Sequence, residues 1–270
     1  MNAAPTKNVL EQVLGDLDAE SAALEAMIAP LDEAGWRTPT PAAGWDIATQ
    51  IAHLAWTDEV AVAAATDKEQ WDAFVIKAMS DPTGFVDVEA LGGGKAAPSE
   101  LLARWREARA GLDTALRNYP AGQKMPWFGP PMSPTSMATA RFMETWAHSL
   151  DVAETLGVMP VPSDRIRHVA HLGVRTRNFS FASHSLQPPA EEFRVELRSP
   201  SGEVWEWGPA DAAQSVCGSA YDFCLRVTQR RHRDDLDLTA EGPDADKWLD
   251  IAQAFAGPPG DGRSPLGYRP

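Results

Sequence analysis

Cysteine is nearly absent from this chain, which has two in 270 residues, Cys217 and Cys224. Two thiols cannot frame a disulfide-stapled fold, and so low a usage fits a reducing compartment. The pattern around them suggests one helix carrying both. There, seven residues at a rise of about 1.5 Å separate their backbones by about 10 Å, too far for a bridge, and both are expected as core thiols. Positive charge is also scarce, with 24 Lys+Arg against 38 Asp+Glu for a net charge of −14. Such a surface repels a phosphate backbone, so nucleic acid is not an expected partner, even beside the local run Arg230-Arg231-His232-Arg233. No stretch approaches the roughly 18 apolar residues of a membrane span. The opening MNAAPTKNVLEQVLGDLDAE has neither a basic start nor an apolar run after it. No membrane partner is expected, and the expected location is cytoplasmic. Two catalytic loops are missing as well. Gly92-Gly93-Gly94-Lys95 has Glu89 and Ala96 where a phosphate loop needs Gly and Ser or Thr, and is read as a flexible loop. Gly218-Ser219 has Cys217 where a nucleophile elbow needs its first glycine.

What is present is apolar mass: 44% hydrophobic residues and ten tryptophans, the composition of a folded chain. Val9, Val13, Leu17, Leu24, Ile28 and Leu31 recur at helical spacing, and this first helix ends before Gly35. Asp46 is placed to cap a second helix running to about Ala65, because its carboxylate accepts from the first free backbone N–H groups. A short helix is expected near 68–79, then a break at Leu91 to Gly94, and a third long helix from a Ser99 cap to Asn118. The proline-dense YPAGQKMPWFGPPMSPTS delivers the chain to a fourth long helix, Thr135 to about Leu156. Beyond Gly157 a bridging helix from about Asp164 is expected, then a hairpin formed by Phe193 to Leu197 and Val204 to Trp207. A helix over Ala210 to Gln229, a strand at Leu236 to Thr239, a last helix after Pro243 and a disordered tail follow. The expected class is mainly α: a four-helix bundle over 1–160 and a small α+β domain over 161–270.

In RFMETWAHSLD, Glu144 and His148 are four apart on the fourth helix and project from one face, where one cation can partner both. A third ligand has to come from another helix, and His53 is the sole histidine in the other three bundle helices. Two histidines and a carboxylate leave a coordination position open, the catalytic rather than structural pattern of zinc. The spacing E-x-x-x-H is common, however, and a core histidine beside a solvated helix carboxylate is its competing reading. His168 and His171, amid Arg165, Arg167, Arg175 and Arg177, read as a solvated face.

The helix start GWDIATQIAHLAW, the distant RFMETWAHSLDV helix and the α+β end together resemble the mycothiol-dependent maleylpyruvate isomerase family, within the DinB-like metal-binding bundle superfamily. The resemblance implies Zn2+ or another divalent metal on His53, Glu144 and His148, and a low-molecular-weight thiol, mycothiol or similar, as second cofactor. It implies S-transfer or cis/trans isomerisation of an electrophilic small molecule. It further implies a catalytic arginine at the end of a long C-terminal helix, where SAYDFCLRVTQRRH offers Arg230, with Arg226 one turn back. Gln229 stands where such proteins often have glycine. Two other functions stay open: a non-catalytic metal- or small-ligand-binding protein, and a zinc-dependent hydrolase in which the open position activates water. The expected assembly is a monomer or homodimer.

Overall fold

The computed structural model describes residues 4–260 and 262–267, and the chain folds as two units that part between Met159 and Pro160. The first unit is helical throughout: α1 (Ala4–Ile28), α2 (Glu33–Trp36), α3 (Ile47–Thr66), α4 (Lys68–Ser80), α5 (Phe85–Gly93), α6 (Pro98–Asn118) and α7 (Pro134–Leu156). The four long helices α1, α3, α6 and α7 make the bundle, in which α3 packs on α6 and α1 on α7. α3 is buried nearly all round, with Ile47, Ile51 and Leu54 fully enclosed. Leu24 and Ile28 of α1, Leu101 and Trp105 of α6 and Val152 of α7 close the same core.

Local signals start and stop these helices. The Asp46 carboxylate accepts from the Thr49 amide at 2.7 Å and opens α3. Ser133 Oγ accepts from the Ser136 amide at 3.1 Å, with Pro134 in the first turn of α7. α7 ends at Gly157 with φ 66°, the left-handed region that favours glycine.

Two expectations are corrected here. α6 starts at Pro98 rather than from a Ser99 cap, because a proline in the first turn has no N–H to satisfy. The glycine run does mark a helix end, but later than its first residue: α5 continues to Gly93 and is capped at Gly94, so most of the run is helix rather than a flexible loop. A Cβ on Gly93 would lie 3.1 Å from Ala52 Cβ, and one on Gly94 2.9 Å from Thr49 Oγ1. The glycines let the end of α5 close directly onto α3.

The second unit opens with a 3-10 turn, Asp164–Ile166, then α8 (Arg167–Arg175) and α9 (Arg177–Ser183). The 3-10 turn and α8 together are the bridging helix expected from about Asp164; it stops at Thr176, whose hydroxyl bonds back to the Leu172 and Gly173 carbonyls, and α9 follows. β1 (Arg194–Arg198), β2 (Val204–Trp207), β3 (Ser215–Ser219), α10 (Ala220–Val227), β4 (Leu238–Glu241) and α11 (Pro243–Ile251) follow. The four strands form one sheet in the order β2-β1-β3-β4. β1 and β2 make the expected antiparallel hairpin, while β1 and β3 run parallel. Val195, Leu197, Trp205 and Val216 are buried, as are Phe223 of α10 and Trp248 of α11, whose rings meet edge to face at 5.7 Å.

The helix expected over Ala210 to Gln229 is therefore a strand followed by a shorter helix. Local periodicity cannot reveal β3, because its partners are distant in the chain. The two cysteines consequently separate: Cys217 lies exposed on β3, not in the core, and Cys224 is buried in α10. Burial pushes the Cys224 thiol well above its usual range. The last strand is shifted to Leu238–Glu241 from the expected Leu236 to Thr239. The tail carries no helix or strand among its described residues, yet the Leu266 amide donates to an Asp235 carboxylate oxygen at 2.9 Å. Residue 261 and residues 268–270, also expected as disordered tail, lie outside the described residues. No described helix is long and apolar enough to cross a membrane.

Candidate metal centre

Glu144 and His148 leave α7 on one face, one turn apart, and His53 reaches them from α3. Glu144 Oε2 lies 3.3 Å from His53 Nε2 and 3.3 Å from His148 Nε2. One ligand atom from each residue falls within 4.8 Å of the others, and no other group of three His, Cys, Asp or Glu among the described residues does so. Four ligands at about 2.0–2.1 Å from a tetrahedral ion are separated by about 3.3 Å, so a small divalent cation matches these two spacings. Both imidazoles are buried, at 7% and 8% exposure, while Glu144 is half-buried. Burial pushes the Glu144 carboxyl up. When protonated, His148 and His53 outweigh it through hydrogen bonds and charge, and hold the carboxyl well below its ordinary value. The anionic carboxylate this implies is the form a cation requires. The donor set fits the metal that the resemblance implies.

The surroundings fix the rings. Trp45, just before the α3 cap, stacks on His148 with centroids 5.8 Å apart and planes 11° apart, and its indole N–H donates to Asp87 at 3.1 Å. Gln50 Oε1 meets His148 Nδ1, and Gln50 Nε2 donates to Thr40 Oγ1 at 2.8 Å. His53 Nδ1, by contrast, is buried with no hydrogen-bond partner. Trp56 lies 6.4 Å from the His53 ring and leads to Phe74 and Phe85; beyond them Trp71 stacks on Trp127. These aromatics pack as core beside the site, and Trp146 is buried in α7.

One more pair sets the register of the two ligand-bearing helices. Arg141, one turn before Glu144, donates through Nε to Asp58 of α3 at 2.8 Å, and both residues are buried. Burial pushes the Asp58 carboxyl up, and the Arg141 charge opposes it.

The two arginines of the second unit have different surroundings. Arg226 is buried and donates to the Leu249 and Asp250 carbonyls, both at 2.5 Å, tying α10 to the end of α11. Arg230 is half-buried and donates to the Thr228 carbonyl at 2.8 Å. Its backbone is set by a Schellman turn: the Arg230 amide bonds to Leu225 O, the Gln229 amide to Arg226 O, and Gln229 takes φ 58°.

Gln50 and Trp45 did not stand out in the sequence. The available signal was a lone glutamine three residues before His53, hence on its face, in the apolar first half of that helix.

Residues 17–153 match the family model described as mycothiol maleylpyruvate isomerase N-terminal domain, and residues 189–241 match one described as wyosine base formation. Two uncharacterized proteins from two strains of Mycobacterium tuberculosis are each 56% identical over 250 residues, covering 93% of this chain and 97% of theirs. A crystal structure of a mycothiol-dependent maleylpyruvate isomerase superposes with a TM-score of 0.58 at 17% identity, over 87% of this chain and 95% of that one. A mutant of that enzyme superposes with a TM-score of 0.56 at 18% identity. At such identities the likeness is one of fold: an N-terminal helical bundle followed by a small α+β part.

Proposed function

Since the chain belongs to the mycothiol maleylpyruvate isomerase N-terminal domain family, we propose that it is a metal-dependent enzyme that uses a low-molecular-weight thiol on an electrophilic small molecule, for isomerisation or S-transfer. The observation that carries this reading is the meeting of His53, Glu144 and His148 from two helices beside the apolar core of the bundle. A half-buried carboxylate between two buried imidazoles is costly to a fold, and a cation is the partner that offsets all three. Zinc is the ion that best suits two imidazoles and a carboxylate. Bound there with a fourth position free, it would lower the pKa of a thiol that occupies that position and so supply a nucleophile at neutral pH.

The chain's own residues do the rest. Glu144 contributes the negative charge, and the histidines contribute neutral nitrogen donors. Trp45 holds the His148 ring in plane by stacking, and the aromatics around Trp56 keep water from that side of His53. A thiolate in such a setting adds to an electrophilic carbon. The addition leaves a carbanion on the neighbouring carbon: if the thiolate then leaves after rotation about the former double bond, the outcome is cis/trans isomerisation; if that carbon instead takes a proton from solvent, the outcome is a thioether. Of the two arginines, Arg230 is the one proposed to act on substrate, and Arg226 the one that ties α10 to α11.

The test is to mix the zinc-loaded protein with mycothiol and a panel of electrophiles, maleylpyruvate among them, and follow isomers and adducts by mass spectrometry. We expect turnover that needs thiol, falls at least a hundredfold in His53→Ala, and falls in Arg230→Met with the fold intact. Absence of His53-dependent turnover with any of several thiols would overturn the proposal, and His53-dependent hydrolysis without thiol would replace it with the metallohydrolase.

A further inference from the structure

The two imidazoles of the site are not held alike, and the difference can be traced bond by bond. The Trp45 carbonyl can only accept, and the Thr40 hydroxyl donates to it at 2.9 Å. With its one proton used, Thr40 Oγ1 faces the next group as an acceptor, and the group it meets at 2.8 Å is the Gln50 amide nitrogen. This fixes which way round the Gln50 amide sits. Its oxygen then faces His148 Nδ1, and an oxygen there requires a proton on Nδ1. A neutral imidazole carries one N–H, so His148 Nε2, 3.3 Å from Glu144 Oε2, is left with a bare lone pair. Histidine in water favours the opposite tautomer, with the proton on Nε2. At His53 no such control exists, because its Nδ1 has no partner.

We infer that Gln50 is a positioning residue that holds His148 in the Nδ1–H tautomer, so that Nε2 faces the centre of the site as a lone pair before any ion arrives. The relay runs from the Trp45 carbonyl through the Thr40 hydroxyl and the Gln50 amide to the ring. Gln50 has no exposed surface and sits among Ile47, Ile51 and Leu54. A polar side chain in that place is costly unless both ends are bonded, and here both are. This inference takes from the preceding reading only that Nε2 is the ligand atom.

The experiment reads the tautomer first, in the metal-free protein, by long-range 1H–15N correlation at a pH above the histidine titration. It then reads zinc affinity by competition with a chelating dye. Wild type should show His148 as Nδ1–H. Gln50→Leu should move it to Nε2–H and weaken zinc about 10–100-fold, the usual effect of losing the outer partner of a ligating histidine. Gln50→Glu should keep the Nδ1–H form and bind within a few-fold of wild type, since a carboxylate is a still better acceptor. Thr40→Val lies outside the bundle helices. It should free the amide to turn over and give a tautomer mixture, which keeps the test decisive if Gln50→Leu does not fold. An Nε2–H His148 in wild type, or an unchanged tautomer in both Gln50→Leu and Thr40→Val, would overturn the inference. If wild type shows the Nδ1–H form and binds no zinc, the tautomer assignment stands and the metal reading fails.

Discussion

Gln229 shows how a single residue shapes the end of a helix. It occupies the left-handed turn that ends α10 and sets the backbone of Arg230, at φ 58°. A side chain with a Cβ costs about 1 kcal/mol more than glycine in this region. Gln229→Gly is therefore expected to raise unfolding stability by about 0.5–1 kcal/mol, read as a higher denaturant midpoint at unchanged slope. A lower midpoint would mean that the glutamine side chain contributes packing which offsets the backbone strain. The expected helix end at Gln229 lies within two residues of the observed one, although the usual glycine stop signal is absent from TQRR.

At the scale of elements, the site depends on α3 and α7 keeping one mutual register. The buried Asp58–Arg141 pair lies close to the ligands on both helices: five residues beyond His53 and three before Glu144. Removing one partner strands a buried charge, at a cost of about 3–5 kcal/mol, while removing both leaves only a packing problem. Arg141→Leu should thus lower stability by that amount in denaturant titrations, and Asp58→Leu/Arg141→Leu should recover part of the loss. A single variant within about 1 kcal/mol of wild type would sink this account. The glycine end of α5 illustrates the same dependence on close approach. The glycines themselves signal a break, and α5 does end among them, at Gly93. What favours Gly93 and Gly94 is the surface of α3 about 3 Å away, which no local pattern contains.

For the whole molecule, an ion that binds only the folded state draws the unfolding equilibrium toward that state. At free zinc one hundred times its dissociation constant the stabilisation is about 2.7 kcal/mol. We expect zinc to raise the thermal midpoint of wild type, a chelator to reverse the rise, and His53→Ala to show almost none. Equal rises in the two proteins would take His53 out of the site. The net charge of −14 favours accumulation of cations over anions at the surface, and the shift should shrink with added monovalent salt only slightly, because the two candidate histidine ligands are buried.

The sequence by itself determined the long helices, through apolar spacing and the Asp46 cap, and it determined that Glu144 and His148 share a face. These are matters of neighbours three or four residues apart, set by backbone geometry. It also carried the β1–β2 hairpin, because that pair is joined by a short turn. The tertiary structure alone decided the rest. It brought His53 to a carboxylate 91 residues away, a meeting that the family resemblance implied and spacing did not. It set β3 parallel to β1, parted the two cysteines and turned Gln50 into the partner of a ring 98 residues along the chain. Contacts across such distances are decided by which buried faces and polar groups can be satisfied together, and that is settled only when the core closes.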